Sequence, residues 1–176
     1  MHPISFLSFF SVFLSLSLAA PNTLNITVIN AQNNHSTLEC WAIEPGFQTS
    51  STAGTSGTQA LNLGPIGGPG TNASYTVLPP GFDGGRHNAP ARQWVIFLTG
   101  LAHITLPNST AEAWVPGGKY GVILALDTAG VSILGHVTRY PSTGETVAVQ
   151  VPLGEGGVPG HVVLYEGGCV GEEVSG

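Results

Sequence analysis

Three polar side chains stand out for their chemistry in a weakly charged chain of 176 residues: His87, Gln93 and His136. His87 and Gln93 lie six positions apart in the segment HNAPARQWVIFLTG, and His136 begins the later segment HVTRYP. Imidazole nitrogens bind transition metals and exchange protons near neutral pH. These residue types at this spacing indicate a metal centre, the remnant of one, or plain packing.

The elements that must position these residues are β-strands, in which residues of equal parity share one face. Parity predicts one row formed by His87, Ala89, Gln93, Val95, Phe97 and Thr99. The opposite row is formed by Trp94, Ile96 and Leu98. Pro90 interrupts the register, so His87 belongs to its row less securely than Gln93. Because the opposite row is also apolar, we expect an amino-terminal strand or a subunit partner to cover it.

The same segment resembles the first motif of the cupins, which are single-domain double-stranded β-helices. That motif has the form H-x-H-x(3)-E-x(6)-G, and here His87, Ala89, Gln93 and Gly100 occupy its four positions without a gap. The second cupin motif places a histidine at the start of a strand after a glycine-containing turn. The segment GGKYGVILALDTAGVSILGHVTRYP has that form, with His136 in the position of the histidine.

The resemblance covers about residues 79–152, and this stretch also resembles small secreted cupin-like proteins of fungi. A cupin metal centre uses three imidazoles and one carboxylate. The resemblance therefore implies one divalent metal (Mn, Fe, Zn, Cu or Ni) at His87, Gln93 and His136, with His103 as a third imidazole if its strand turns it inward. Ala89 and Gln93 replace two of the signature residues. The alternative is thus a degenerate site, in which the same side chains line a small polar pocket or bond to one another.

Asp127 lies in the segment ALDTAG, shortly before His136. An Asp before Thr-Ala-Gly is predicted to hold a turn through its own backbone hydrogen bonds. The alternative is a general acid or base, or a partner that orients His136. The three tryptophans, Trp41, Trp94 and Trp114, are expected in the core or an interface rather than on a sugar-stacking surface. No G-x-S-x-G elbow and no P-loop lysine is present.

Short β-branched and aromatic runs, separated by Gly, Pro, Asn or Ser, recur along the chain and predict an all-β fold. The chain has 25 Gly and 13 Pro, and no helical period is visible. We expect a single-domain jelly roll, or cupin-like barrel, over residues 21–176. Within it, PGFDGG is predicted to be a turn. The Thr/Ser/Gly-rich residues 47–70 are predicted to form a flexible arm or short edge strands.

The first 20 residues carry no charge and end in small residues, which is typical of a secretory signal peptide cleaved after Ala19 or Ala20. No second apolar run approaches the roughly 18 residues of a membrane helix. Four sequons indicate a secreted glycoprotein, with candidate acceptors Asn25, Asn34, Asn72 and Asn108. In an oxidising compartment Cys40 and Cys169 are expected to form one disulfide, with two unpaired thiols as the alternative.

Charge and composition narrow the classes of function. Charged residues are 8% of the chain, with four basic against ten acidic, which argues against nucleic acid and anionic membranes as partners. Three interpretations stay open. The chain is a non-catalytic secreted protein that binds a small ligand or a cell-surface component, a metal-dependent cupin enzyme, or a purely structural protein. An apolar sheet face would permit a homodimer in any of them.

Overall fold

The computed structural model describes residues 23–68 and 71–170, so the predicted signal peptide, residues 1–20, lies outside the described residues. Within the described part every regular element is a strand, as predicted. The strands are β1 (Leu24–Gln32), β2 (His35–Ile43), β3 (Gln48–Thr49), β4 (Gln59–Ala60), β5 (Ser74–Leu78), β6 (Phe82–His87), β7 (Gln93–Phe97), β8 (Leu101–Thr105), β9 (Glu112–Pro116), β10 (Val122–Ala125), β11 (His136–Tyr140), β12 (Thr146–Pro152) and β13 (His161–Glu166).

The strands form three sheets. A seven-stranded sheet has the order β13-β2-β1-β10-β7-β12-β5, and a four-stranded sheet has the order β6-β11-β8-β9. β3 and β4 form a two-stranded sheet by themselves. β1 pairs in parallel with β10, whereas the other pairings are antiparallel. The all-β prediction is confirmed at this level of architecture.

The main core lies between the seven-stranded and four-stranded sheets. Val95 and Phe97 of β7 and Ile123 of β10 supply it from the larger sheet. Ile104 of β8 and Val115 of β9 supply it from the smaller one. Alternation explains which residues of each strand enter this core, because every second residue of a strand points to the same side. Gln93 shares the parity of Val95 and Phe97, so the predicted row on β7 is confirmed for these three residues.

The opposite face of the seven-stranded sheet carries a second core that includes Ile26, Trp41 and Trp94. This face is covered by the arm, residues 47–66, through side chains that include Leu63. The indole Nε1 of Trp94 donates a hydrogen bond of 3.1 Å to the carbonyl of Leu63. The expected cover by an amino-terminal strand is therefore wrong, and a subunit partner stays a prediction. β1 lies within the sheet, and the chain supplies the cover itself.

One local prediction differs from the structure, and another agrees with one of its two alternatives. The segment PGFDGG is predicted to be a turn, but only its beginning is one, and Phe82–His87 form β6 of the four-stranded sheet. Cross-strand partners in β11 draw this segment into the sheet, and its two consecutive glycines lie at a register shift of the pairing, where Gly85 has a φ of +63°. In the arm, the two-residue strands β3 and β4 agree with the alternative of short edge strands.

The predicted disulfide is confirmed. Cys40 of β2 is bonded to Cys169, which follows β13, across a sequence separation of 129 residues. The residues described in the structure contain no helix that is long and apolar enough to cross a membrane. Of the sequon residues, Asn34, Asn72 and Asn108 are exposed and Asn25 is partly buried. Glycosylation itself stays a prediction.

Candidate functional site

The three residues that the sequence singles out come from both large sheets. His87 ends β6 and His136 begins β11 in the four-stranded sheet, whereas Gln93 begins β7 in the seven-stranded sheet. The predicted row is thus broken at Pro90, and His87 does not share a strand with Gln93. The chain crosses between sheets there. All three side chains nevertheless line the same cavity.

This cavity, which we call the histidine cavity, lies between the two large sheets and has a volume of about 340 Å³. Its apolar lining comes from Ile29, Ala89, Pro90, Val95, Phe97, Ile123 and Ala125. Its polar lining comes from Ser74, Thr76, His87, Gln93, His136, Thr138, Tyr140 and Gln150. No Asp, Glu, Lys or Arg is among the lining residues. The site therefore offers hydrogen-bonding groups over an apolar floor, without a full charge of fixed sign.

His87 and His136 are register partners on β6 and β11, and their ring centroids are 4.5 Å apart. Gly135 makes this approach possible. Its φ is +63°, and a Cβ at this position would collide with the backbone carbonyl of His87. Only glycine meets both demands without strain. The turn before β11 thus brings the two imidazoles together at the end of both strands.

A buried carboxylate fixes the ring of His136. Its Nδ1 lies 2.8 Å from Oδ2 of Asp127, whose side chain has no exposed surface. The Ser36 hydroxyl donates to the same oxygen at 2.6 Å, and it lies 2.8 Å from the Ser132 hydroxyl. The side chain of Asp127 therefore orients His136, which is the alternative interpretation of this residue. The predicted role of holding its own turn through backbone hydrogen bonds is wrong for the side chain.

Asn88 and Ser132 hold the backbone of the turn between Asp127 and His136, and sequence reasoning missed both. The Asn88 amide donates to the carbonyls of Asp127 at 3.1 Å and of Ser132 at 2.9 Å. The Ser132 hydroxyl accepts from the backbone N–H of Gly135 at 3.1 Å. The turn between Asp127 and His136 is thus fixed at several points. Small polar residues in a Gly-rich turn carry no local signal for this role, because their partners come from distant strands.

The hydrogen bonds at Nδ1 determine what the two imidazoles present to the cavity. In His136 the carboxylate of Asp127 holds a proton on Nδ1, which leaves Nε2 as the acceptor of the neutral ring. In His87 Nδ1 lies 3.1 Å from the carbonyl of Gly85, which selects the same tautomer. Among the described residues, neither Nε2 atom has a hydrogen-bond partner, and the side-chain amide of Gln93 has none either. These groups are therefore available to a ligand.

Burial and charge together set the protonation of His87. Much of this residue is exposed at the mouth of the cavity, but its ring lies against His136. Partial desolvation, followed by the charge that His136 carries when it is protonated, lowers the pKa of His87 below its ordinary 6.5. Burial also raises the pKa of the Tyr140 phenol. The histidine cavity consequently keeps His87 and Tyr140 neutral at pH 7.

His103 lies away from the other two histidines. It is the register partner of Arg139, which is on the outer face of the four-stranded sheet, whereas His136 lies on the inner face. There His103 stacks on Trp114 and bonds to Glu112. A metal would thus find two imidazoles and the neutral amide of Gln93. Among the described residues no three His, Cys, Asp or Glu side chains are grouped for a metal ion. This donor set does not fit the complete first shell of a metal centre.

The fold and the site define an all-β protein with an open cavity between two sheets and a buried, carboxylate-oriented histidine in its lining. Comparison of the chain with protein-family models, with curated proteins and with solved structures finds no match.

Proposed function

We propose that this chain is a secreted, non-catalytic, cupin-like protein that binds a small uncharged organic molecule in the histidine cavity. The observation that carries the proposal is the grouping of unpaired hydrogen-bonding atoms of His87, Gln93 and His136 over an apolar floor. Convergent polar groups beside an apolar surface are found in small-molecule sites, and about 340 Å³ is at the lower end of their volumes.

The chemistry of the lining selects the class of ligand. Nε2 of His136 accepts a hydrogen bond, and the amide of Gln93 both donates and accepts. Val95 and Phe97 provide an apolar surface below them. Because no cationic side chain lines the cavity, an anionic ligand would lose its hydration without a compensating charge. A compact molecule with one apolar side and a hydroxyl, carbonyl or ring nitrogen fits these groups best.

Export and the cupin-like form of the fold belong to the same proposal. The uncharged amino-terminal segment and the four sequons support export, and the Cys40–Cys169 disulfide agrees with an oxidising compartment. Two facing sheets with the site between them, together with the two motif histidines on neighbouring strands, support a jelly roll of cupin type. An open cavity at the motif residues favours binding over a purely structural role.

A metal-dependent cupin enzyme is the second candidate function, and one observation favours it. Both rings donate from Nδ1 to a carboxylate or a carbonyl, and metal-binding histidines are usually oriented by such a bond from the ring nitrogen that does not bind the metal. The incomplete donor set argues against it. Metal analysis of untagged protein after growth with added Mn, Fe, Cu, Ni or Zn decides between them. If the wild type holds one equivalent of metal and the His136→Ala variant holds none, the enzyme is the better proposal and the binding protein is rejected.

The binding proposal is tested with a library of uncharged fragments and NMR spectra of the labelled protein. We expect some fragments to shift the resonances of His136 and Gln93. Replacing Gln93 by Leu keeps the size of the side chain but removes its polar atoms, and it should weaken binding by about tenfold or more. Gln48→Leu, the same change on exposed β3, is the matched control. Fragments that bind equally well to the Gln93 variant, or none that shift these resonances, would refute the proposal.

A further inference from the structure

A second cavity lies at the edge of the four-stranded sheet, where β9 approaches the start of β1. We call it the tryptophan groove. Its volume is about 510 Å³, and its lining includes Asn25, Thr27, Trp114, Tyr120 and Val170. It is distinct from the histidine cavity, since the two share no lining residue. The proposed function makes no use of this groove, and its aromatic and apolar lining requires a separate explanation.

Trp114 is an exposed but fixed aromatic side chain, so the core half of the prediction for it is wrong. Half of its surface is accessible, at 50%. His103 stacks on it with a centroid distance of 3.8 Å and an interplanar angle of 9°. Glu112 bonds to Nε2 of His103 at 2.8 Å and to Nε1 of Trp114 at 3.4 Å. A ring that is held in place before it meets a partner loses little conformational entropy on contact.

Asn25 brings a sequon into the same groove. It shares the parity of Thr27 and Ile29, so its side chain lies on the face of β1 that the four-stranded sheet covers. Asn25 lies near the beginning of β1, where the four-stranded sheet no longer covers this face completely, and it is only partly buried. The hydroxyl of Thr23 donates to Oδ1 of Asn25 at 3.0 Å. The Thr27 of the sequon is buried and accepts a hydrogen bond from the backbone of Cys169 at 3.0 Å.

We propose that the tryptophan groove holds the first sugar of an N-linked glycan on Asn25. The inference rests on the export that belongs to the proposed function, because only an exported chain meets the glycosylation machinery. N-acetylglucosamine has an apolar ring face and an acetyl methyl group, which suit Trp114, Tyr120 and Val170. Its hydroxyls suit the carboxylate of Glu112, which also lines the groove. Aromatic rings present a flat, polarisable surface to such C–H groups.

The covalent link explains why the chain's own glycan is the best occupant. A sugar that is tethered beside its site has an effective concentration on the order of millimolar, so weak stacking is enough to keep it in contact. A free saccharide would have to supply that affinity from contacts alone. Asn108 also lines a cavity, but no Trp, Tyr or Phe side chain is part of that lining, so it offers no aromatic surface to a sugar.

The test uses protein secreted from a eukaryotic host that adds high-mannose glycans, with site occupancy measured by mass spectrometry. Under native conditions, endoglycosidase H should release the Asn25 glycan at least about tenfold more slowly than the Asn72 glycan, because the enzyme must reach the first two sugars. Trp114→Ala should remove this difference. Tyr75→Ala, at an aromatic side chain that is 67% exposed and outside the groove, is the matched control and should leave it intact.

Three results would overturn the inference: an unoccupied Asn25, equal release from Asn25 and Asn72 in the wild type, or unchanged protection in the Trp114 variant. If that variant does not fold, the wild type supplies an independent measurement. A nuclear Overhauser effect between the acetyl methyl group and the Trp114 indole is expected, and its absence counts against the inference. Fragment binding in the histidine cavity does not depend on Asn25, so the two proposals fail separately.

Discussion

Nδ1 of His136 lies 2.8 Å from Oδ2 of Asp127, a carboxylate that is completely buried nine residues earlier in the chain. Oδ2 also accepts from Ser36, whereas the other oxygen, Oδ1, is buried without a partner among the described residues. A buried carboxylate is expensive to desolvate, so this contact is maintained against a cost. Its consequence is a histidine whose tautomer and ring direction are both fixed at the cavity.

Replacing Asp127 by Asn should change the tautomer of His136. The amide keeps the shape of the carboxylate but brings no charge to hold the proton on Nδ1, so the population with the proton on Nε2 should increase. The free energy of unfolding should fall by about 1–3 kcal/mol, which is typical of a damaged buried hydrogen-bond network. Ring ¹⁵N shifts and denaturant unfolding measure the two effects. Glu145→Gln, in an exposed loop, should change neither. An unaltered tautomer would contradict the orienting role of Asp127.

His87 should make the fold less stable in mild acid. Because desolvation and the neighbouring His136 lower its pKa in the folded state, the unfolded chain takes up the proton first as the pH falls below about 6.5. Stability from this group is therefore complete above that pH and is lost below it. An NMR titration should place the pKa of His87 below its ordinary value of 6.5. The prediction fails if His87 titrates at or above the ordinary value.

Loss of the Cys40–Cys169 disulfide should lower stability strongly. The bond closes a loop across 129 residues, and chain entropy in the unfolded state predicts about 4–5 kcal/mol for a loop of this length. The double variant Cys40→Ser, Cys169→Ser should unfold at clearly lower denaturant concentration than the oxidised wild type. Reduced wild-type protein, which has the same loop open, serves as the control and should match the variant. Coincident curves for the oxidised and reduced protein would refute this prediction.

The arm, residues 47–66, should protect the outer apolar face of the seven-stranded sheet. Leu63→Asp places a charge against Trp94 and should lower the free energy of unfolding by about 1–3 kcal/mol. Cleavage of the arm in limited proteolysis should become faster. Because the variant uncovers an apolar face, size-exclusion chromatography should also detect self-association. Ile66→Asp, at a side chain that is 60% exposed on the same arm, is the control. Equal cleavage rates would mean that the arm does not cover this face.

Some of these features could be predicted from the sequence because they depend on local alternation. The placement of Gln93, Val95 and Phe97 on one side of a strand and of Trp94 on the other follows from parity alone. His87 did not follow the same rule, since Pro90 ends the register and the chain changes sheets. The position of His103 could not be predicted from parity either. Its face depended on how its strand follows the turn at Gly100, which local alternation does not determine.

The sequence by itself determined the fold class, the disulfide and three of the polar residues that line the histidine cavity, His87, Gln93 and His136. Composition and period-two patterns are local, and two cysteines allow only one pairing. The tertiary structure alone decided that Asp127 orients His136, because Ser36 and Asp127, which share one hydrogen bond, are separated by 91 positions. It also decided that the arm covers the second apolar face. Both outcomes depend on which strands become neighbours, and that is set by the packing of the whole chain.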